Sequence, residues 1–253
     1  MPNDNFDAQL QTEFRDLIHD HVGQVNAAFE RLENKASTAS EALSLIRRCC
    51  HTMKGAAASY HYGAIAEVSQ RFDNYLHGLT TLDAKEVRDL QVFIDEIGRL
   101  AELSTQPTGE DIAKVLRNLP FRYEFNVKDV EIRHVEIMVV TPSKVTAKVV
   151  SQELMACGFR PLVMHDPIEA LTSALRAKPS MVIASAVIDP ISGIDVLQAL
   201  RHITSTSSLP LAILTSNKGD TNFATAIPEK TFVLHTNSFS DDFANVIAAT
   251  GLG

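Results

Sequence analysis

Apolar residues recur at intervals of three and four over the first hundred positions, which is the spacing of amphipathic helices. Four apolar stripes follow one another, and the first helix is expected to begin near Asp7. Their members are Phe14, Ile18, Val22, Val25, Phe29 and Leu32; Leu43, Ile46, Cys50, Met53, Ala57 and Tyr60; Ile65, Val68, Phe72, Leu76 and Leu79; and Val87, Leu90, Ile94 and Ile97. Short connections carry helix-capping residue types, including Thr38 and Asp83. Because short loops make successive helices antiparallel neighbours, the pattern predicts an all-α four-helix bundle over residues 5–104.

The helical pattern stops at the segment STQPTG, residues 104–109, which is rich in turn-forming residue types. A short helix is expected from Glu110 to Asn118, before Pro120. Residues 121–133 are polar and irregular. We therefore predict a linker over residues 105–133 that contains one short helix.

From residue 135 the pattern changes to short apolar runs that alternate with helical stretches. The predicted strands are 135–140, 160–164, 181–184, 211–214 and 231–234, and the predicted helices are 144–156, 167–177, 194–202 and 241–249. Such alternation is typical of βαβ units and a mainly parallel sheet. Five strands suit the flavodoxin-like order 2-1-3-4-5, so residues 134–253 are predicted to form an α/β domain.

Composition narrows the classes of function. A net charge of −8 with no basic stripe argues against a nucleic-acid partner. No apolar run approaches the ~18 residues that cross a bilayer, and no signal peptide is evident, so we expect a cytoplasmic protein without a membrane partner. The three cysteines (Cys49, Cys50 and Cys157) have no metal-like spacing, and no metal site is expected.

The segment HTMKG, residues 51–55, is the main candidate for chemistry. On a helix, Lys54 and Gly55 lie three and four positions after His51, so the three share one side. His51 follows the stripe residue Cys50 by one position, which rotates it roughly 100° away from the core. A free imidazole titrates near pH ~6.5 and is a nucleophile when neutral. The open side of the helix, here called the His51 face, comprises Arg47, His51, Lys54, Gly55, Ala58 and Tyr62.

An ordinary surface histidine is the alternative interpretation of His51. The clustering of an imidazole, an ammonium group and a residue without a side chain favours the chemical interpretation. A phosphoryl group on the ring would use the cation for charge and the bare backbone for the approach of another protein.

About the first 105 residues resemble the histidine-containing phosphotransfer (HPt) domains of multistep phosphorelays, on the segment HTMKGAA at 51–57. The resemblance implies that His51 is the phosphoacceptor, that Lys54 steadies the phosphoryl oxygens and that Gly55 lets a receiver domain approach. The remaining residues of the His51 face would contact that partner. In chemotaxis-kinase members a carboxylate on the next helix orients the imidazole, and Asp73 falls near that position. Where the family has glycine ten positions after the histidine, this chain has His61.

Nothing in the sequence resembles an ATP site, since neither a GxGxxG loop nor a GxxxxGK[ST] motif occurs. The HPt resemblance therefore predicts a phosphorelay intermediate and not an enzyme that draws phosphate from ATP. It needs no cofactor of its own, because Mg²⁺ would be supplied by the partner receiver.

The second half resembles a response-regulator receiver domain whose chemical residues have been replaced. The receiver resemblance implies that the glycine after the third strand and the hydroxyl after the fourth are kept, as Gly193 and Thr215. The lysine after the fifth strand is missing, with His235 or Thr236 in its place. The metal-binding acidic residues are absent at Thr141 and Pro142, and the phosphoacceptor aspartate is replaced by Ser185. Without carboxylates there is no oxygen cage for Mg²⁺. This half is predicted to be a pseudo-receiver.

A hydrolase built from Ser185, His165 and Asp189 is disfavoured, because no G-x-S-x-G elbow surrounds the serine. Two hypotheses stay open. In the first, the protein carries phosphate between receiver domains of hybrid histidine kinases and response regulators, and its pseudo-receiver docks partners, forms a homodimer or restricts access to His51. In the second, both domains form a non-catalytic interaction module that sequesters or scaffolds two-component signalling proteins. The intact His-Lys-Gly trio favours the first hypothesis.

Overall fold

The structure is a computed structural model that describes residues 2–122, 135–216 and 226–252, with side chains from residue 9 onward. The chain divides into two compact units, residues 1–122 and 123–253. In the described residues, no helix combines the length and the apolar character needed to cross a membrane.

The first unit is a four-helix bundle, as predicted. Its helices are α1 (Pro2–Glu33), α2 (Ala39–Ser59), α3 (Gly63–Leu76) and α4 (Ala84–Ala101). Helix α1 packs against α2 and α4, and α3 packs against the same two helices on the opposite side. Fully buried residues of the four predicted stripes form the core, and the rings of Phe72 and Phe93 stack with centroids 5.2 Å apart. Helix α1 begins before the expected start near Asp7.

Capping boxes begin α2 and α4. The Thr38 hydroxyl accepts a hydrogen bond from the Glu41 amide, and the Glu41 carboxylate accepts one from the Thr38 amide at 2.8 Å. Asp83 and Glu86 form the same reciprocal pair at the start of α4. Each box pairs backbone donors that the first helical turn leaves without a partner.

Helix α2 ends in a Schellman arrangement. The amide of Tyr62 donates to the carbonyl of Ala57 at 2.8 Å, and the amide of His61 donates to that of Ala58 at 3.3 Å. His61 has a φ of +61°, the left-handed conformation that glycine adopts most readily. The backbone at the position where the HPt family has glycine therefore keeps a glycine-like conformation in this chain.

The short helix predicted in the linker, α5 (Glu110–Asn118), belongs to the first unit. It contacts α3, and its apolar residues Ile112, Ala113 and Leu116 are buried. The first part of the predicted linker is therefore packed on the bundle. Residues 123–133 of that linker lie outside the described residues.

The second unit contains a parallel sheet of five strands. These are β1 (Glu136–Val140), β2 (Arg160–Met164), β3 (Met181–Ser185), β4 (Leu211–Thr215) and β5 (Thr231–His235). Their order in the sheet is β2-β1-β3-β4-β5, so the predicted flavodoxin-like order is confirmed. Strands β3, β4 and β5 each extend one residue beyond their predicted ends.

Helices cover both faces of this sheet. They are α6 (Lys144–Ala156), α7 (Pro167–Ala177), α8 (Gly193–His202) and α9 (Phe239–Thr250). Alternate residues of each strand point to opposite faces. On β1, Ile137 and Val139 share a core with α6 and α9, whereas Met138 and Val140 share a core with α7 and α8. This arrangement brings the carboxyl ends of all five strands to one edge.

Candidate functional site

The rotation of α2 decides the environment of His51. Cys50 and Met53 on the same helix are completely buried in the bundle core. Their burial turns the position between them outward, and His51 is exposed. Sequence periodicity had predicted this exposure, because it follows from the apolar stripe alone.

The His51 side chain is free of hydrogen bonds and ion pairs to other described residues. Among the residues that the structure describes, none forms a hydrogen bond or an ion pair with its side chain. Both ring nitrogens are therefore available to a reactant from outside the chain. This is the arrangement that a nucleophile acting on another protein requires.

Lys54, one turn along α2, is held by helix α3. Its ammonium group donates to Asp73 Oδ2 at 3.0 Å and to Gln70 Oε1 at 3.3 Å. The side chain of Lys54 is 25% exposed and that of Asp73 is 49% exposed. The cation expected to steady phosphoryl oxygens is thus present beside His51, but it is already paired.

The structure gives Asp73 a different partner from the one that the HPt resemblance implied. The predicted role was to orient the His51 imidazole. Its carboxylate binds Lys54 instead, and no carboxylate of a described residue lies within hydrogen-bonding distance of the His51 ring. The orienting role has no contact to support it.

Arg47 is predicted to contact a partner, but it also has a structural role. Its guanidinium group donates to the backbone carbonyl of Leu76 at 3.3 Å and to that of Leu79. These carbonyls lie at and just beyond the end of α3. Cations are favoured there because the helix leaves its last carbonyls unpaired. Arg47 therefore ties α2 to α3 one turn before His51.

Gly55 lies on the exposed surface with free space above it. A Cβ atom built at this position would meet nothing within 4 Å. The chain itself therefore places no steric demand for glycine here. A requirement for glycine at this position would have to come from a protein that approaches the surface.

The remaining residues of the His51 face extend toward the end of α2. Ala58 is exposed. Tyr62 is half-buried, and its ring stacks on that of Phe14 with centroids 4.0 Å apart. Tyr62 therefore anchors the α2–α3 turn to α1 and presents only part of its ring to a partner.

Sequence reasoning missed two residues of this surface. Gln70 is the second acceptor for Lys54, and it lies on another helix, 16 positions away, where no local pattern could indicate it. Arg48 is exposed, and its side chain has no ion-pair or hydrogen-bond partner among the described residues. Its spacing of three positions before His51 could have indicated it.

The cysteines near the site are not part of its chemistry. Cys49 and Cys50 are buried, and burial raises the pKa of the Cys50 thiol well above its ordinary value. Its sulfur donates to the carbonyl of Ser69 at 3.6 Å. A protonated, buried thiol is a poor nucleophile. Within the described residues, no cluster of three or more histidine, cysteine or acidic side chains could hold a metal ion.

In the described part of the second unit, the positions where the receiver resemblance implies metal ligands lack the carboxylates that Mg²⁺ prefers. Thr141 follows β1 and is almost completely buried, and Pro142 has no polar side chain. Ser185 ends β3, at the position where the receiver resemblance implies an aspartate. Because magnesium sites in proteins are built mainly from carboxylate oxygens, these residues do not fit a receiver metal.

Gly193 has a structural reason to be glycine. A Cβ atom at this position would lie 2.0 Å from the carbonyl oxygen of Ser185 and 2.9 Å from its carbonyl carbon. The start of α8 therefore packs directly on the end of β3. Glycine is therefore required here for packing, and its presence carries no information about phosphorylation.

After β5, where the receiver resemblance implies a lysine, His235 binds Asp242. His235 Nδ1 lies 2.8 Å from Asp242 Oδ2, which also accepts from the His235 amide at 2.9 Å and the Ser238 hydroxyl at 3.1 Å. Burial alone would raise the pKa of Asp242, but the hydrogen bonds from His235 and Ser238 outweigh it and lower that pKa. These groups bind one another across the start of α9. The neighbouring Thr236 donates to Asn237.

The hydrolase constellation is not formed. His165 Nδ1 lies 2.8 Å from the backbone carbonyl of Thr141. In the described parts of the chain, no hydrogen bond joins His165 to Ser185 or to Asp189. The serine therefore has no general base.

Comparisons with known proteins agree with this division of the chain. The Hpt domain family model matches residues 9–106. A comparison with curated proteins found no match. The first unit therefore contains an Hpt domain, and with it the chain is linked to two-component phosphorelay signalling.

Several solved structures are similar to the second half. The chemotaxis response regulator CheY4 of Vibrio cholerae is 18% identical with a TM-score of 0.41, over 46% of this chain and 98% of that one. The receiver domain of the sensor histidine kinase PA1611 from Pseudomonas aeruginosa is 20% identical with a TM-score of 0.42, over 46% and 98%. The N-terminal domain of a response regulator receiver protein from Methanoculleus marisnigri is 19% identical with a TM-score of 0.35, over 45% and 94%. The fold of this unit is established by its strand order, described above.

Proposed function

We propose that this protein is a histidine phosphotransfer intermediate of a phosphorelay. His51 accepts a phosphoryl group from the aspartate of one receiver domain and passes it to another. The observation that carries the proposal is the exposed ring of His51 within the Hpt domain, which has no hydrogen-bond or ion-pair partner among the described residues and lies beside Lys54 and the open surface at Gly55.

The transfer needs little machinery from this chain. A neutral ring nitrogen of His51 attacks the phosphorus of the partner's aspartyl phosphate, an N–P bond forms, and the P–O bond breaks to release the partner's carboxylate. The reverse step hands the group to the next receiver. Phosphoryl transfer depends mainly on positioning and charge neutralisation, so Lys54 and the Mg²⁺ held by the partner can supply the stabilisation. The chain itself contributes no ATP site and acts as a carrier.

The second unit is proposed to be a pseudo-receiver that does not accept phosphate. With Thr141, Pro142 and Ser185 at the decisive positions, there are neither carboxylates for a metal nor an aspartate to phosphorylate at those positions. Its role would be to dock partners, to pair with a second copy of the chain or to control access to His51. The expected partners are receiver domains of hybrid histidine kinases and response regulators.

Transfer from radiolabelled receivers tests the proposal. The full chain is incubated with phosphorylated receiver domains from the same genome, and label is expected on the chain that is acid-labile and base-stable. His51→Gln should abolish it. His77→Gln removes another exposed histidine of the same unit and should retain it. Label that persists in His51→Gln would refute the assignment, and absence of label from every receiver would favour the interaction module.

A further inference from the structure

Lys54 has a counter-ion that competes with the phosphoryl group. The ammonium group lies 3.0 Å from Asp73 Oδ2, and Gln70 Oε1 holds it from a second direction at 3.3 Å. Resting on the phosphotransfer function above, we propose that Asp73 is a positioning residue. By neutralising Lys54, it keeps phosphohistidine at His51 high enough in free energy to pass its phosphoryl group on.

The contacts between α2 and α3 place Asp73 beside the reactive position. Cys50 contacts the carbonyl of Ser69, Lys54 contacts Asp73, and Arg47 contacts the carbonyl of Leu76. Asp73 therefore lies on the stretch of α3 that runs alongside the turn of α2 carrying His51. The Asp73 carboxylate therefore interacts with the Lys54 ammonium group, which is the cation that a phosphoryl group on His51 would also meet.

The direction of the effect follows from charge. A phosphoryl group on His51 brings negative charge next to Lys54, and an unpaired ammonium group would attract it and stabilise phosphohistidine. Asp73 already satisfies that ammonium group. The phosphoryl group must either share the cation or displace the carboxylate, so the equilibrium moves toward the receiver.

The expected size of the effect is modest. Lys54 and Asp73 are 25% and 49% exposed, and water screens pairs of this kind. Screening suits a residue that tunes a reversible transfer, because deep stabilisation of phosphohistidine would trap the phosphate. Gln70 adds a neutral acceptor that fixes the position of the ammonium group without adding charge.

The test is the transfer equilibrium of Asp73→Asn. The variant keeps an oxygen acceptor for Lys54 and loses the charge. With the receiver that supports transfer in the full chain, the ratio of phosphohistidine to aspartyl phosphate should rise about threefold to fivefold. Asp73→Glu keeps the charge and should stay within about twofold of the parent chain. Asp95→Asn makes the same charge change on α4, where Asp95 accepts from Gln91, and should have no effect.

A double variant shows whether Asp73 acts through Lys54. In a Lys54→Gln background, Asp73→Asn should change the ratio little, because the cation that it frees is gone. An equal shift in both backgrounds would overturn the proposal. So would slower transfer in both directions at an unchanged ratio, which is the behaviour of a residue that orients the imidazole.

Phosphoramidate provides a second measurement that needs no receiver. It transfers a phosphoryl group to imidazole nitrogen and releases ammonia, so the phosphorylated fraction of His51 at a fixed ratio of phosphoramidate to ammonia reports the same free energy. Asp73→Asn should raise the ratio of phosphorylated to free His51 by the same factor, and the populations of the His51 ring tautomers in NMR spectra should not change. If receivers fail to exchange phosphate but this shift occurs, the proposed function fails and the role of Asp73 stands. If receivers exchange phosphate and the shift is absent, the proposed function stands and the role of Asp73 fails.

Discussion

Gly55 is a glycine within helix α2, and the helix itself gives no reason for it. It lies inside a helix, where glycine is less favourable than alanine by about 0.5–1 kcal/mol. Among the residues that the structure describes, nothing lies within 4 Å of a Cβ atom built at this position. The helix therefore carries a destabilising residue that its own packing does not require, directly after Lys54.

Gly55→Ala should separate stability from function. We expect the free energy of unfolding, measured in urea, to increase by about 0.5–1 kcal/mol. Transfer from a phosphorylated receiver should slow roughly tenfold or more, because a methyl group displaces the approaching surface. Gly23→Ala is the matched control on α1, where a Cβ atom also meets nothing within 4 Å. The Gly23→Ala variant should gain the same stability and keep an unchanged rate of transfer. A wild-type rate of transfer in Gly55→Ala would contradict the proposed role of Gly55 in the approach of a receiver.

The ends of helices, and not only their apolar stripes, determine the shape of the bundle. Helix α2 begins with the capping box of Thr38 and Glu41 and ends where His61 turns into the left-handed conformation. The turn brings Tyr62 onto Phe14 and starts α3 at Gly63. The position of α3, and with it that of Asp73, depends on this turn.

His61→Gly is expected to stabilise the protein. A side chain in the left-handed region is strained by about 1–2 kcal/mol, and the greater freedom of glycine in the unfolded chain offsets part of the relief. The net increase in the free energy of unfolding should be about 0.5–1 kcal/mol by urea denaturation. His77→Gly is the control, because His77 follows α3 with an ordinary φ of −64° and should lose stability on the same change. Equal losses in both variants would argue against strain at His61.

The capping carboxylates predict a loss of stability in acid. Hydrogen bonds from the Thr38 amide and hydroxyl lower the pKa of Glu41 from 4.5, and hydrogen bonds from the Ser192 hydroxyl and amide lower that of Asp195 from 3.8. Each of these carboxyl groups has a lower pKa in the folded protein than in the unfolded chain. The stabilisation is therefore complete at a pH above the pKa of the unfolded chain, and it is lost as the pH falls through the pKa of the folded protein.

Urea unfolding between pH 6 and pH 3, followed by circular dichroism, measures this dependence. Glu41→Gln keeps an acceptor for the Thr38 amide and removes the titrating group. The variant should therefore show a weaker fall in the free energy of unfolding below about pH 4.5. If the free energy of unfolding of Glu41→Gln falls with pH as steeply as that of the parent chain, Glu41 does not contribute to the loss of stability in acid.

The whole molecule combines a unit that carries the His51, Lys54 and Gly55 trio with a unit that we propose to be a pseudo-receiver. The bundle presents His51, Lys54 and Gly55 on one exposed face, whereas the strand ends of the second unit carry Thr141 and Ser185 in place of carboxylates. Packing at the start of α8 requires glycine at Gly193 whatever the chemistry of this unit. Phosphate should therefore enter the chain only at His51.

The full-length His51→Gln chain tests this expectation directly. Incubated with acetyl phosphate and Mg²⁺, it should acquire no base-labile acyl phosphate, while a competent receiver under the same conditions should be labelled. Labelling of the variant would place a reactive carboxylate in the second unit and end its assignment as a pseudo-receiver.

Much of this architecture could be read from local patterns. Intervals of three and four placed the helices, short apolar runs placed the strands, and one residue of offset from Cys50 placed His51 in solvent. These relations follow from the geometry of a single helix or strand, so they need no knowledge of its neighbours.

The tertiary structure decided what the candidate site contains. Lys54 meets Gln70 and Asp73, 16 and 19 positions away, and Arg47 meets carbonyls about 30 positions away. Such contacts depend on the rotation and axial offset of two packed helices, which the side chains of both determine together. The sequence by itself therefore determined that an exposed histidine lies on a bundle, and only packing decided that the cation beside it is held by a carboxylate.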